Sequence, residues 1–317
     1  MQYRPLGTTG LEVSRICFGA LTVGPCQANL SPEAAGEIIH HAFEQGVNFV
    51  DTAQLYRSYA HIAAALKKPT PREVIISSKT YAYEKQAAFE AVEEARKGLN
   101  RDVIDIFLLH EQESEHTLRG HAPALEELYR LKALGVIRAV GLSTHHVAGV
   151  RAAIAAKLDV VHPLLNFAGY GILDGTRDEM DAAARDAAEA GLGVFLMKPF
   201  GGGNLLARTS ECFAYSFSRD YAASVAVGMQ SLTEVDANLH FAEHGEFPAD
   251  LAQILRTTKR RLLVEDWCEG CGVCEKACPQ DAIRVDPEKK IAVCDASRCV
   301  TCGYCGMACP QSCLKII

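Results

Sequence analysis

The sequence predicts an α/β protein, a (β/α)8 TIM barrel followed by a small α+β domain built around cysteine. Three observations carry that expectation. Short apolar runs alternate with longer alanine-rich segments over roughly the first 250 residues, as strands and covering helices do in a barrel. The alternation stops after that point, and ten of the thirteen cysteines then fall between Cys268 and Cys313.

The strand candidates are ICFGA at 16–20, VNFV at 47–50, VIISS at 74–78, DIFLL at 105–109, IRAVGLS at 137–143, VVHPLL at 160–165, GVFLM at 193–197 and SVAVG at 224–228. Between them, segments such as PEAAGEIIHHAFEQG and AAFEAVEEARKGL place apolar residues at helical spacing and reach a glycine near their ends. A doubly wound open sheet is the competing arrangement. It is disfavoured because no G-x-G-x-x-G follows the first strand. The barrel is expected over residues 1–258 and the second domain over 259–317, with the junction near Arg256–Leu262.

A net charge of -7 over 317 residues argues against a nucleic-acid partner, since no basic cluster offsets the acidic total. The short run Lys259-Arg260-Arg261 reads as a solvated linker face, with a docking patch for an acidic carrier as the alternative. No apolar run reaches the 18 residues of a membrane span, and the N-terminus lacks the features of a secretory signal. A cytoplasmic protein with no membrane partner is therefore expected. In a reducing compartment, thiols this dense point to metal and not to disulfides.

The tail repeats itself. Cys268–Val285 aligns without gaps on Cys299–Ile316, an offset of 31 residues (299 − 268), which reads as an internal duplication. Each half carries C-x2-C-x2-C-x3-C-P: Cys268, Cys271, Cys274 and Cys278 before Pro279, then Cys299, Cys302, Cys305 and Cys309 before Pro310. Three close thiolates reach three irons of one cubane, and the fourth, set before proline, reaches the other cluster. The expected ligand sets for two [4Fe–4S] clusters are thus Cys268, Cys271, Cys274 with Cys309, and Cys299, Cys302, Cys305 with Cys278. Zinc is the competing ion, but zinc ribbons separate two cysteine pairs by a long spacer. Gly272 and Gly303 suit loops whose N–H groups approach cluster sulfur. Cys294 and Cys313 read as small buried side chains, and Cys17, Cys26 and Cys212 as core or pocket-wall residues. Over these fifty or so residues the tail resembles bacterial two-cluster ferredoxins, making it a ferredoxin-like iron–sulfur domain.

In the barrel, Asp51, Lys79 and His110 each follow directly on a predicted strand, and Tyr56 comes five residues after Asp51. Strand ends of a barrel share the face that carries chemistry. A carbonyl being reduced needs a proton at its oxygen. Tyr56 would deliver it, with Lys79 stabilising the phenolate, Asp51 holding Lys79, and His110 orienting the substrate or sharing the relay.

At these residues the barrel resembles the aldo-keto reductase family, from Tyr3 to about Leu239, through YRPLGTTGLEVSRICFGA, NFVDTAQLY, SSK, FLLH, GVIRAVGLST, MKPFGGG and GMQSLTEVDANL. The resemblance implies a catalytic tetrad at Asp51, Tyr56, Lys79 and His110, and NAD(P)H lying across the strand ends without a Rossmann fingerprint. The nicotinamide dinucleotide would meet Gly19, Ser143, Thr144, His162, Met197, Lys198, Phe200, Gly201, Gly202, Gly203, Gly228, Ser231 and Asn238, with Gly201–Gly203 and Gly228 cradling phosphate. NADP is the form the family implies. The chain departs from the pattern at Met197, where a stacking tyrosine is usual, at His162, where a glutamine holds the carboxamide, and at Gln230, where an arginine often contacts the 2′-phosphate; Asn166 fits. MKP and GGG are similar to the subgroup that carries ferredoxin-like tails. His145 and His146 follow the fifth strand and read as surface residues that would otherwise line the pocket.

Hydride carries two electrons and a cubane passes one, so the two halves do not exchange electrons directly without a splitter. The expected function is an oxidoreductase acting on a carbonyl, alcohol or sugar-like small molecule at the tetrad, its clusters linked to an external ferredoxin or other redox partner. Two alternatives stand beside it: an NAD(P)H-dependent reductase with structural or redox-sensing clusters, and an electron carrier with a non-catalytic barrel. Substrate identity and oligomeric state are not encoded in any motif.

Overall fold

A computed structural model of the chain describes residues 1–248 and 258–317. Eight parallel strands close into a barrel: β3 (Ile16–Gly19), β4 (Phe49–Asp51), β5 (Ile75–Thr80), β6 (Ile104–Leu109), β7 (Ile137–Thr144), β8 (Val160–Pro163), β9 (Gly193–Met197) and β10 (Ser224–Gly228), with β10 pairing β3. The predicted run at 160–165 ends at Pro163, and Leu164 keeps only a single bridge to Met197. Before the barrel, β1 (Tyr3–Pro5) and β2 (Glu12–Ser14) form an antiparallel hairpin. Leu6, Leu11 and Val13 of this hairpin pack into the barrel interior against Phe49, Ile106 and Phe195 and close its N-terminal end.

The covering helices are α1 (Pro32–Glu44), α2 (Tyr59–Ala65), α3 (Lys85–Leu99), α4 (Glu115–Gly120), α5 (Ala122–Ala133), α6 (Val147–Ala155), α7 (Arg177–Glu189), α8 (Thr209–Phe217) and α9 (Leu232–His244). Their starts follow local chemistry. Ser31 caps α1 ahead of Pro32, and Thr176 with Glu179 forms a reciprocal capping box on α7. The apolar faces of these helices and the outward side chains of the strands, such as Ile39, Val92, Leu128 and Val150, make the main core.

The second domain comprises β11 (Leu262–Val264), α10 (Val273–Ala277), β12 (Ile283–Val285), β13 (Ala292–Cys294), α11 (Tyr304–Ala308) and β14 (Leu314–Ile316). β11 pairs β14 and β12 pairs β13, both antiparallel. Helix and strand recur at the spacing of the sequence repeat. The expected junction at Arg256–Leu262 lies partly outside the described residues, and by Leu262 the chain already belongs to the second domain.

This domain sits on the loop after β9, over the C-terminal mouth of the barrel. Ile316 N donates to Gly202 O at 3.0 Å and Asn204 Nδ2 donates to Leu314 O at 2.9 Å. In the basic run Lys259 and Arg261 are exposed, in line with the solvated reading, with Arg261 donating to Gln27 O; Arg260 is the correction, pairing with Glu234 at 2.7 Å between largely buried side chains. No described helix is long and apolar enough to cross a membrane.

Candidate active site and cluster cavities

The barrel topology brings the four expected catalytic residues together. Asp51 ends β4, Lys79 lies one residue before the end of β5, and His110 follows β6. Tyr56 closes a short 3-10 turn, Gln54–Tyr56, with Arg57 in the left-handed region behind it. Lys79 Nζ donates to Asp51 Oδ2 at 2.7 Å and to Thr52 O at 2.8 Å, and lies 4.9 Å from the centre of the Tyr56 ring. Tyr56 Oη and His110 Nε2 are 3.5 Å apart. All but Lys79 line one cavity of about 1090 Å³ at the barrel mouth.

Electrostatics assign protonation states. Burial alone would raise the Asp51 carboxyl, but Lys79 and His162 hold it down at about 2. Burial, with Lys79 adding to it, pushes His110 down to about 3, so its imidazole is neutral. The Tyr56 hydroxyl is pushed well above its ordinary value by burial and by Asp51 and Glu111. The site therefore holds a phenol that keeps its proton at neutral pH, beside a neutral imidazole and an ammonium fixed by a carboxylate.

Two further residues that sequence pattern did not bring forward complete this wall. Tyr81 stacks on His110 with ring centroids 4.4 Å apart, and its hydroxyl donates to Glu111 Oε2 at 2.5 Å. The available signal was position: Tyr81 follows Lys79 by two residues at a strand exit, and Glu111 adjoins His110.

The expected nicotinamide residues divide. Gly19, His162, Met197, Lys198, Phe200, Gly202, Gly203, Gly228 and Asn238 line the cavity, whereas Ser143, Thr144, Gly201 and Ser231 do not. Ser143 Oγ accepts from Glu111 N, Thr144 Oγ1 from His146 N, Ser231 caps α9, and the Asn166 amide is taken up by the Tyr170 backbone. His162 stacks on Phe195, bonds its carbonyl through Nδ1, and approaches Asp51 at 3.6 Å. The glycine run faces the second domain: a Cβ on Gly203 would meet Ile316 O at 2.0 Å, and one on Gly202 would meet Lys315 Cδ at 2.7 Å. Gln230 donates to Thr22 O. For a nicotinamide dinucleotide the fit is divided: nine of the expected residues line the cavity, while Ser143, Thr144, Asn166 and Ser231 are engaged inside the protein and the glycine run is covered by the second domain. His145 corrects its surface reading, since it lines the cavity and accepts from Lys198 Nζ at 2.8 Å; His146 does not line it.

The cysteines gather into two small cavities. Cys268, Cys271, Cys274 and Cys309 line one, and Cys299, Cys302, Cys305 and Cys278 line the other. Their fit to [4Fe–4S] clusters is visible in the donors around them. Ala292 N points at Cys268 Sγ at 3.4 Å and Ala282 N at Cys278 Sγ at 3.3 Å, the backbone bonds that stabilise cluster-bound sulfur. Among the described residues, no three His, Cys, Asp or Glu side chains converge on a single point. Gly272 and Gly303 hold positive φ at the starts of α10 and α11. Cys313 and Cys294 are more than core filler: Cys313 Sγ lies 3.4 Å from Cys309 Sγ in the wall of the first cavity, and Cys294 lines the second. Cys17 and Cys212 are core residues, and Cys26 lines the barrel mouth.

A barrel with an ion-paired lysine, a tyrosine and a histidine at its C-terminal mouth, roofed by a two-cavity cysteine domain, defines an oxidoreductase of the iron–sulfur class. The chain matches the aldo/keto reductase family over residues 15–211 and a 4Fe-4S dicluster domain over residues 267–313. It belongs to the aldo/keto reductase family, oxidoreductases acting on carbonyl or alcohol groups. Among its relatives is the L-galactose dehydrogenase of Arabidopsis thaliana, 26% identical over 286 residues that cover 75% of this chain and 87% of the relative. The NADH-specific methylglyoxal reductase of Escherichia coli is 27% identical over 201 residues, covering 55% and 60%. An aldo-keto reductase of Bacillus halodurans shares the fold with a TM-score of 0.63 at 23% identity, over 81% of this chain and 95% of that one.

Proposed function

We propose that the protein reduces a carbonyl, or oxidises the corresponding alcohol, at Tyr56, His110, Lys79 and Asp51, with two [4Fe–4S] clusters held by the two cysteine quartets exchanging electrons with a partner such as a ferredoxin. The observation that carries this reading is the single cavity into which both Tyr56 and the cluster domain face. Each cluster, when bound, would supply or accept one electron. Carbonyl reduction would then run in single-electron steps through a substrate ketyl, which removes the need for a separate splitter, and takes two electrons with two protons, one at oxygen from Tyr56 and one at carbon from solvent.

The chain's own residues manage the proton. Tyr56, kept protonated by burial, donates to the carbonyl oxygen as charge develops there. Lys79, 4.9 Å from the phenol ring, then faces the phenolate, and its ammonium is held in place by Asp51. Neutral His110 stands within reach of Tyr56 Oη and of the same oxygen. Tyr81 and residues of the second domain, among them Glu265, Trp267 and Lys315, line the same mouth and would face the substrate.

A nicotinamide-driven reaction is the second reading, favoured by the family and by the name of the Escherichia coli relative. The covered glycine loop and the satisfied Ser143 and Asn166 weigh against it. The experiment is anaerobic turnover of a panel of carbonyls with reduced ferredoxin or with NAD(P)H as sole donor. Ferredoxin-driven turnover supports the proposal, and turnover with NADPH or NADH alone, indifferent to cluster oxidation state, replaces it. Tyr56→Phe is expected to lower turnover by about 10²-fold or more while leaving the cluster absorbance unchanged.

A further inference from the structure

The barrel mouth holds two lysines that the proton chemistry does not use. Lys198 follows β9 and is half-buried, with a φ of 57 directly before Pro199, a left-handed backbone that a side-chain-bearing residue adopts only when its surroundings demand it. Glu111, after β6, is in the same region at φ 49. Lys315 comes from β14 of the cluster domain and is only 8% exposed. It lies across the glycine loop four residues beyond Lys198, and its Nζ would be 3.6 Å from a Cβ on Gly202. Both side chains line the cavity that contains Tyr56 and His110.

Neither ammonium has a carboxylate within 4 Å among the described residues. Lys198 Nζ donates to His145 Nε2, and Lys315 Nζ donates to Ser312 O, a carbonyl of its own loop. Glu111 shares the cavity, but one of its oxygens takes the Tyr81 hydroxyl, and it lies 3.6 Å from His145. Glu265 also lines the cavity and acts on both lysines electrostatically without coming within 4 Å of either. Lys198 is pushed down to about 7 by burial and by Lys315, and Lys315 is lowered by burial against the opposing pull of Glu265 and Glu111. Glu111 and Glu265 offset part of this charge from a distance, but no carboxylate bonds either ammonium directly, which leaves buried N–H donors open to an anion in the cavity.

We propose that Lys198 and Lys315 form a clamp for a carboxylate on the substrate, so that the enzyme acts on oxo acids and hydroxy acids and the cluster domain supplies half of the clamp. This rests on the carbonyl chemistry proposed above. The anion belongs to the substrate because a chain of contacts ties Lys198 to the proton relay: it bonds His145, which lies 3.6 Å from Glu111, whose other oxygen takes the hydroxyl of Tyr81, stacked on His110 at 4.4 Å. The loop expected to cradle a dinucleotide phosphate is filled by Lys315 and Ile316.

The test compares acids with their uncharged esters on the anaerobic holoprotein: pyruvate with methyl pyruvate, and levulinate with methyl levulinate, by titration calorimetry and by turnover. Charge-assisted bonds predict that one acid binds roughly tenfold or more tighter than its ester. Lys315→Met and Lys198→Met should each cut that preference about tenfold, with cluster absorbance intact, and Lys315→Arg should restore it. Equal binding of acids and esters, or a preference that survives both methionine variants, overturns the clamp. So does a loss confined to inorganic phosphate or NADPH, which would assign the lysines to a phosphate. Selective acid binding without turnover of any carbonyl would retain the clamp and remove the proposed reaction; turnover without acid preference would do the reverse.

Discussion

Removing the Lys79 ammonium tests the arrangement at its centre. Lys79 is 1% exposed, and its partner Asp51 is 5% exposed, with Oδ1 already lacking a hydrogen-bond partner and Oδ2 bound at 2.7 Å. Lys79→Met leaves that carboxylate buried with only His162 nearby, at 3.6 Å. Breaking a buried pair from one side costs about 3–5 kcal/mol. The wild-type carboxyl, held at about 2 against an ordinary 3.8, reports an interaction of about 2.5 kcal/mol at neutral pH, consistent in scale. Its sign follows from the lowered value: the contribution is present above the unfolded carboxyl range and is lost as pH falls through about 2. In Lys79→Met the folded value instead rises above the unfolded one. The penalty is then largest at neutral pH and shrinks as acid protonates Asp51. The assay is the apparent melting temperature of anaerobic holoprotein at several pH values, followed by far-ultraviolet circular dichroism. The double variant Asp51→Asn with Lys79→Met should melt higher than Lys79→Met alone at pH 7. A double variant no more stable than the single would refute the claim that an unpaired charge causes the loss.

Cys278→Ala should disturb the cluster of the second cysteine run, Cys299, Cys302 and Cys305, and not that of its own run, seen by electron paramagnetic resonance of the reduced protein. Iron should fall below the roughly eight atoms per chain that two cubanes require. Gly203→Ala should loosen the cluster domain, since the new Cβ meets Ile316 O at 2.0 Å with φ at 86; faster proteolysis between the domains would report it, and unchanged proteolysis would contradict the docking. Affinity for an anionic substrate should fall as pH rises through about 7, where Lys198 loses its proton, against a surrounding set of His145, Glu111, Lys315, Glu265, His110 and Lys79. A pH-independent KM for the acid, alongside a pH-independent KM for its ester, would remove Lys198 from that role.

Much of this protein is legible in one dimension because its chemistry is periodic. A strand buried on both faces reads as an unbroken apolar run, so the eight barrel strands emerge from VNFV or GVFLM without further information. Thiols that must reach one cubane are confined to a single tight loop, so Cys268, Cys271 and Cys274 announce themselves by spacing alone. Strand ends share a face, which places Asp51, Lys79 and His110 together once the barrel is granted. The β1–β2 hairpin escaped notice because its strands are three residues long, below the length at which alternation can be seen.

What tertiary structure alone decided lies where two domains meet. Lys315 has a counterpart in the first half of the duplication, Arg284, and the two positions look alike along the chain, yet Arg284 is exposed and Lys315 is buried. The glycine run Gly201–Gly203 reads as a phosphate loop, but its bare backbone receives the last strand of the cluster domain. Burial is set by what packs against a residue and not by its neighbours in sequence, so the polarity and protonation of the barrel mouth arise only when residues far apart in the chain close over it.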